Sequence, residues 1–324
     1  MGERKVSQMA QEKQPILFLQ PEFKENIWGG SRLKTDFGYD IPGGHTGECW
    51  GISAHPNGDD TIKEGVFQGK KLSGLWREHR ELFGNLEGEQ FPLLVKIIDA
   101  RDDLSIQVHP DDTYAAAHEN GSLGKTECWY ILDCPQGAQL VVGHYARTKQ
   151  ELADMIHQGR WDALIRRIPI QKGDFIQIEP GTVHAITAGC LILETQQSSD
   201  ITYRVYDYDR RTNNQPRQLH IAQSVDVITV PAKSTQDSVR NLSDLSQNTW
   251  HEIISCPYYR IFKLNLNGNY TMEQKYPFLN VSVVEGAGQI DGHALKKGDH
   301  LILPAGYGRM EWQGRMECIA SAVS

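Results

Sequence analysis

The chain has 324 residues, with 33 Lys and Arg against 41 Asp and Glu, a formal charge of −8. A nucleic-acid face needs clustered cations along the phosphates, so this balance argues against a duplex as partner. It leaves room for an anionic small molecule, which needs only a few local cations. The length suits one large domain or two of ordinary size. No run approaches the roughly 20 apolar residues of a membrane span. Residues 1 to about 14, MGERKVSQMAQEKQ, have a charged start and no apolar centre, so they do not read as a secretory signal. Val6 breaks the myristoylation pattern. The segment reads as a solvated leader. The six cysteines are dispersed, with no C-x-x-C pair, and read as reduced thiols in a cytoplasmic protein.

Short runs rich in Ile, Val, Leu, Tyr and Trp recur between Gly, Pro, Asn and Asp clusters, the pattern of a mainly β protein. Strands are predicted at Ile16–Leu19, Cys49–Ser53, Leu93–Ile98, Leu104–Val108, Cys128–Leu132, Gln139–Val142, Phe175–Ile178, Cys190–Glu194 and Ile201–Val205. Helical patterns interrupt them at Lys71–Glu81 and Asp112–Glu119. A third helix opens on a capping box at Thr148 and Glu151, whose side chains each satisfy a free backbone N–H, and runs on through Met155, Trp161 and Ile165.

Residues 231–250 are polar and poor in apolar anchors, which marks a domain boundary. The expected division is a larger unit at 15–240, carrying the helices, and a smaller β unit at 241–324. Strands of the second unit are predicted at Tyr259–Leu266, Tyr270–Gln274, Leu279–Glu285, Gly288–Ile290, His300–Leu303, Arg309–Trp312 and Glu317–Ala320. Two segments echo each other: GDFIQIEPGTVHAI from Gly173 and GDHLILPAGYGRMEW from Gly298. Each has a Gly-Asp turn, an alternating strand and a Pro/Gly corner, as where a jelly-roll barrel passes between its sheets.

Three fragments carry groups able to do chemistry. In LSIQVHPDD (104–112), strand alternation sends Gln107 and His109 to one face and Ile106 and Val108 to the other. In GKTECWYILD (124–133), Lys125 and Glu127 share a face beside Trp129, where a buried carboxylate is costly unless paired or bound to a cation. In EPGTVHAI (179–186), His184 follows the Pro180-Gly181 turn. Each fragment alone also reads as an exposed polar face or a satisfied core histidine. Together, Gln107, His109, Glu127 and His184 make an N/O donor set that suits zinc with a position left open. Iron, manganese, cobalt and nickel suit the same donors.

The ordered segments NIWGG (26–30), GECWGISAHPNG (47–58), PLLVKIIDARDDLSIQVHP (92–110), GKTECWYIL (124–132), PGTVHAI (180–186) and LETQQSSDITYRVYDYDR (193–210) resemble the class I mannose-6-phosphate isomerases of the cupin superfamily, in their short bacterial form. The resemblance implies two cupin-type jelly-roll β-domains, with helical insertions in the larger N-terminal one. It implies one zinc ion per chain on His109, Glu127, His184 and Gln107, a glutamine carbonyl being the weakest of these ligands. It makes Arg204 the catalytic arginine and brings Glu194 and Lys125 into the pocket as the proton-transfer candidates. Lys96, Ser105, Glu48 and Trp28 are weaker candidates for its lining. Arg204 shares a strand face with Thr202 and Tyr206, and pairing with Asp207 is its alternative role.

Aldose–ketose interconversion would pass through a cis-enediol(ate), with a divalent cation and Arg204 stabilising the developing charge. The substrate implied is a sugar phosphate, and the chain is expected to be a monomer or a weak homodimer. In the second echo Arg309 stands where His184 stands in the first, and no ligand set accompanies it, so no metal is expected in the C-terminal unit. Two other functions fit a cupin: a non-catalytic sugar-binding module and an iron-dependent oxygenase.

Overall fold

A computed structural model describes residues 13–324 except 213, 236 and 237. The leader expected at residues 1–14 therefore lies almost wholly outside the described residues. Lys13 is described, and its ammonium bonds Asp291 at 2.8 Å and the Arg309 carbonyl at 2.6 Å. Among the described residues no helix is long and apolar enough to cross a membrane, and all six cysteines are free.

The architecture is mainly β, with three large antiparallel sheets and two two-stranded ones among the described residues. A seven-stranded sheet runs in the order Val239–Asn241, Asp174–Ile178, Glu127–Asp133, Leu191–Gln197, Leu93–Asp99, Thr46–Ile52, Glu22–Gly30. A five-stranded sheet faces it, in the order Ile165–Pro169, Gln139–His144, His184–Ala185, Ile106–Val108, Tyr203–Tyr206. The third sheet is built from the C-terminal strands Trp250–Ser255, Tyr259–Gln274, Gly308–Val323, Leu279–Ile290 and His300–Leu303. It also takes in Leu17–Gln20, which pairs with His300–Leu303 through Leu17 and Phe18.

Alternation explains how the seven-stranded sheet serves two cores. Along Glu127–Asp133, Trp129 and Ile131 pack into the space between the first two sheets, while Cys128, Tyr130 and Leu132 join the core shared with the C-terminal sheet. Leu93–Asp99 repeats this, with Ile98 on the inner face and Val95 and Ile97 on the other. Both faces are buried, so the strands read as nearly continuous apolar runs. The inner face is where Lys96, Glu127 and Glu194 sit.

Several boundaries differ from the sequence expectations for definite reasons. The C-terminal strands predicted as pairs, Tyr259–Leu266 with Tyr270–Gln274 and Arg309–Trp312 with Glu317–Ala320, are single 16-residue strands that pair along their whole length. Their exposed middles carry Asn, Gly, Gln and Arg, which break the apolar alternation but not the hydrogen-bond ladder. The third helix stops at His157, and after Gly159 a separate short helix, Trp161–Leu164, precedes a strand beginning at Ile165. Its cap departs from the box: Thr148 Oγ1 accepts from Glu151 N–H at 3.1 Å, but the Glu151 carboxylate reaches back to Arg147 N–H at 2.8 Å, one residue earlier than expected. Strands Glu22–Gly30 and Trp250–Ser255 were not expected, because charged residues interrupt their alternation.

The internal echo is geometrically real. Gly173 and Gly298 are both left-handed, with φ of 87° and 91°. Asp174 accepts from Gln171 N–H, and Asp299 from Lys296 N–H, each at 2.8 Å.

His300, 1 % exposed, sits where the C-terminal sheet meets the seven-stranded sheet. Its Nδ1 accepts from Ser282 at 2.8 Å and its Nε2 donates to the Tyr39 hydroxyl at 3.1 Å. The ring lies flat on Gly51, where a Cβ would come within 2.4 Å of it. Burial lowers the His300 pKa from 6.5 to about 4. The unfolded chain therefore takes up this proton at a higher pH than the folded one. The resulting stability is complete above pH 6.5 and is lost as pH falls towards 4, by about 3 kcal/mol at the limit. Denaturant titrations between pH 4 and 7 are expected to show a shallower pH dependence for His300→Gln than for the wild type. Parallel curves would contradict this.

Candidate active site and metal centre

His109, Glu127 and His184 converge between the two facing sheets, each 1 % exposed or less. Their ligand atoms lie within 4.8 Å of one another, and among the described residues this is the one group of three or more His, Cys, Asp or Glu able to hold a metal. Sheet register brings them together: His184 pairs directly with Gln107 across the five-stranded sheet, while Glu127 opens a strand of the facing sheet. The outer face of Ile106–Val108, with Ile106 and Val108, is covered by Leu152, Met155, Ile156 and Leu164 of the helical insertion. That cover turns Gln107 and His109 inwards rather than to solvent.

The imidazoles are held in the form that ligates. His109 Nδ1 donates to the Ile201 carbonyl and His184 Nδ1 to the Thr182 carbonyl, both at 2.8 Å. Each Nε2 lone pair is thereby left facing inwards, and the two lie 3.1 Å apart. Burial, then the Lys125 charge, holds His109 well below its ordinary pKa. Burial takes His184 down to about 4. Both rings are neutral at neutral pH. Glu127 lies 3.5 Å from His109 and 3.4 Å from His184, and its buried Oε1 has no hydrogen-bond partner. Two facing lone pairs and an orphaned carboxylate oxygen are an unstable arrangement without a cation, and the donor set fits a divalent one. Lys125 contacts the same atoms, bonding Glu127 and lying 3.2 Å from His109 Nε2. Gln107 turns its amide nitrogen to His184 Nε2, at 3.3 Å, while its carbonyl accepts from Ser105 at 3.3 Å. Its use as a carbonyl ligand needs the amide rotated by a half turn.

Above this group lies a cleft of about 220 Å³ whose lining includes Trp28, Glu48, Lys96, Ser105, Gln107, Lys125, Glu194 and Arg204. Lys96 sits 3.4 Å from Glu48 and 3.6 Å from Glu194. Burial opposes its charge, but Glu48 and Glu194 prevail and raise its pKa. Burial and then the charge of Glu194 push Glu127 upwards. At Glu194 the desolvation is overcome by Lys125 and Lys96, with a 2.9 Å bond from Trp129 Nε1, so this carboxylate stays ionised.

A family model for the type I phosphomannose isomerase catalytic domain matches residues 16–132, and one for the mannose-6-phosphate isomerase cupin domain matches 249–323. Mannose-6-phosphate isomerase ManA of Bacillus subtilis is 51 % identical over 312 residues, covering 94 % of this chain and 98 % of its own. The chain belongs to the type I mannose-6-phosphate isomerase family. The mannose-6-phosphate isomerase of Streptococcus mutans is 50 % identical over 94 % of this chain and 97 % of its own. A crystal structure of the Bacillus subtilis mannose 6-phosphate isomerase superposes with a TM-score of 0.89 at 47 % identity, over 95 % of this chain and 99 % of the other. A putative mannosephosphate isomerase from Archaeoglobus fulgidus shares the fold at 20 % identity, with a TM-score of 0.76 over 97 % of this chain and 100 % of the other.

Against this family background, each expected metal ligand, proton-transfer residue and lining residue, with Arg204, falls at the cleft or directly beneath it. Two details differ. Tyr206 does not share the Arg204 face, because the strand register shifts between them and Tyr206 stacks on Trp161 at 4.6 Å. Asp207 does not pair with Arg204; it pairs with Arg210 and Arg217. Sequence reasoning missed Arg217, which lines the cleft from outside the sheet, along with Asn26, Trp50 and Asp200. No alternation or motif spacing marks Arg217. Asp200 lies inside the 193–210 segment that carries the family resemblance, and His55 approaches it at 3.5 Å.

Proposed function

We propose that this chain interconverts D-mannose 6-phosphate and D-fructose 6-phosphate through a cis-enediol(ate), using one zinc ion per chain. The observation that carries the reading is the placement of Lys96, Lys125, Glu194 and Arg204 around one cleft over the buried His109–Glu127–His184 group. His109, Glu127 and His184 would hold the ion, with Gln107 or a water completing its shell. When bound, it would supply Lewis-acid stabilisation of negative charge at the sugar O1 and O2. Arg204 adds a second positive charge on the same side of the cleft. Glu194, ionised, can accept the carbon-bound proton, while Lys125, as an ammonium, can give a proton to oxygen. Trp28, Trp50 and Ile98 contribute apolar surface to the cleft beside the reacting carbons. Of the cupin functions considered above, the isomerase is the one the family supports.

The division of labour proposed is catalysis within residues 15–240, with 241–324 acting as a β wall without a metal. Arg309, at the echo position of His184, is exposed and pairs with Glu311 at 3.3 Å. The free thiols support a reducing, cytoplasmic setting, and a monomer or weak homodimer is the proposed state.

The test is a coupled assay for fructose 6-phosphate formed from mannose 6-phosphate, together with exchange of the C2 proton in deuterated water. Turnover with exchange is expected. Absence of turnover in metal-replete protein overturns the reading. Glu194→Gln and Lys125→Met are expected to differ in exchange, and the variant that abolishes it identifies the base.

A further inference from the structure

The cations of the cleft are not equally compensated. Lys96 and Lys125 both face carboxylates, Glu48, Glu194 and Glu127 among them. Arg204 makes no ion pair among the described residues, and its buried Nε has no hydrogen-bond partner. It stands beside Gln107 in the sheet, at the metal end. Arg217 reaches the cleft from beyond the sheet, at the foot of the exposed hairpin formed by Arg211–Thr212 and Gln215–Pro216. Asp200, also in the lining, is already engaged by His55 and Asn57.

Asp207, 3 % exposed, fixes the foot of that hairpin. Its two oxygens accept from Arg217 Nη1 at 3.2 and 3.1 Å, and Oδ1 also accepts from Arg210 Nη2. Arg210 is anchored in turn, donating through Nη1 to the Asp103 carbonyl at 2.6 Å. The backbone closes the same loop, with Arg210 N–H on the Asp207 carbonyl at 3.0 Å and Arg217 N–H on the Arg210 carbonyl at 3.2 Å. Tyr208 and Asp209 adopt left-handed φ of 55° and 54° to make the bend, a conformation that persists only where the surroundings enforce it. One carboxylate thus serves two guanidiniums while Arg204 has none. This end of the cleft keeps an excess of positive charge, which suits a dianion.

We propose that Arg217 holds the phosphate of the sugar phosphate, and that Asp207 is the positioning residue that sets it there. The proposal rests on the isomerase reading for its substrate, but binding of inorganic phosphate tests it without turnover. Wild type, Asp207→Asn, Arg217→Ala and the double variant are compared by calorimetry with inorganic phosphate and by steady-state kinetics. Asp207→Asn is expected to raise the phosphate Kd and the KM for mannose 6-phosphate by about tenfold, the effect of one weakened charge-assisted hydrogen bond. The kcat is expected to stay within about threefold. Because both residues act through one contact, the double variant is expected to be no weaker than Arg217→Ala alone. Unchanged phosphate binding in Asp207→Asn overturns the proposal, as does a fall in kcat with KM unchanged, or effects that add in the double variant. If Asp207→Asn does not fold, an unchanged phosphate Kd in Arg217→Ala overturns it equally. Wild-type protein that binds phosphate but turns over no sugar phosphate would sink the isomerase reading and leave this one standing.

Discussion

His184→Ala is expected to lose its metal and its turnover together, with kcat/KM falling by at least about 10³-fold, or some 4 kcal/mol. The imidazole is held by one bond to the Thr182 carbonyl and points its other nitrogen at Glu127 and His109. Removing it deletes one of three donors and leaves the Glu127 Oε1, already without a hydrogen-bond partner, facing a void. Two remaining donors hold a divalent ion weakly, so metal content measured after gel filtration should drop with activity. Circular dichroism checks that the fold survives. A variant that keeps one metal per chain would place the ion elsewhere.

Arg204→Ala is expected to do the reverse, keeping its metal while kcat drops by about 10² to 10³-fold, the range for removing a single preorganised donor to a developing oxyanion. Arg204 makes no hydrogen bond or ion pair to any of the three ligating groups, so metal binding has no reason to change. Burial and the nearby Arg217 disfavour its charge, with only Asp207 opposing them. A guanidinium kept charged in that setting interacts strongly with an anion that approaches it. Arg204→Lys is expected to restore little, because an ammonium cannot reproduce the planar fork. Turnover within threefold of wild type in Arg204→Ala would remove it from the catalytic machinery.

The ligating residues His109 and Glu127 show how far the sequence could be read. Strand alternation in LSIQVHPDD separates His109 from Val108, and a carboxylate beside Trp129 marks Glu127 as needing a partner. Neither pattern says that the two strands face each other. That follows from pairing between residues far apart in the chain, such as His184 with Gln107 and Glu127 with Ile178, and only the ordered family motifs anticipate it. The inward turn of Gln107 and the burial of His109 depended on a helical layer covering Ile106 and Val108, which local alternation cannot reveal. Arg217 was invisible for a related reason: its place in the cleft is set by an ion pair to Asp207 and a bend at Tyr208 and Asp209, not by periodicity. The long C-terminal strands were read as halves because their exposed middles are polar, whereas the ladder holding them is backbone and indifferent to side chain.

An acidic chain of net −8 pairs Arg210 and Arg217 with one buried carboxylate, Asp207, and leaves Arg204 without an ion pair at the cleft. A small phosphate ester needs no more than that.

The most direct test of the central claim is to follow mannose 6-phosphate turnover and metal content together through chelation and zinc re-addition. Activity is expected to fall with the metal removed and to return with about one zinc per chain. Full activity in protein shown to be free of metal would contradict the account.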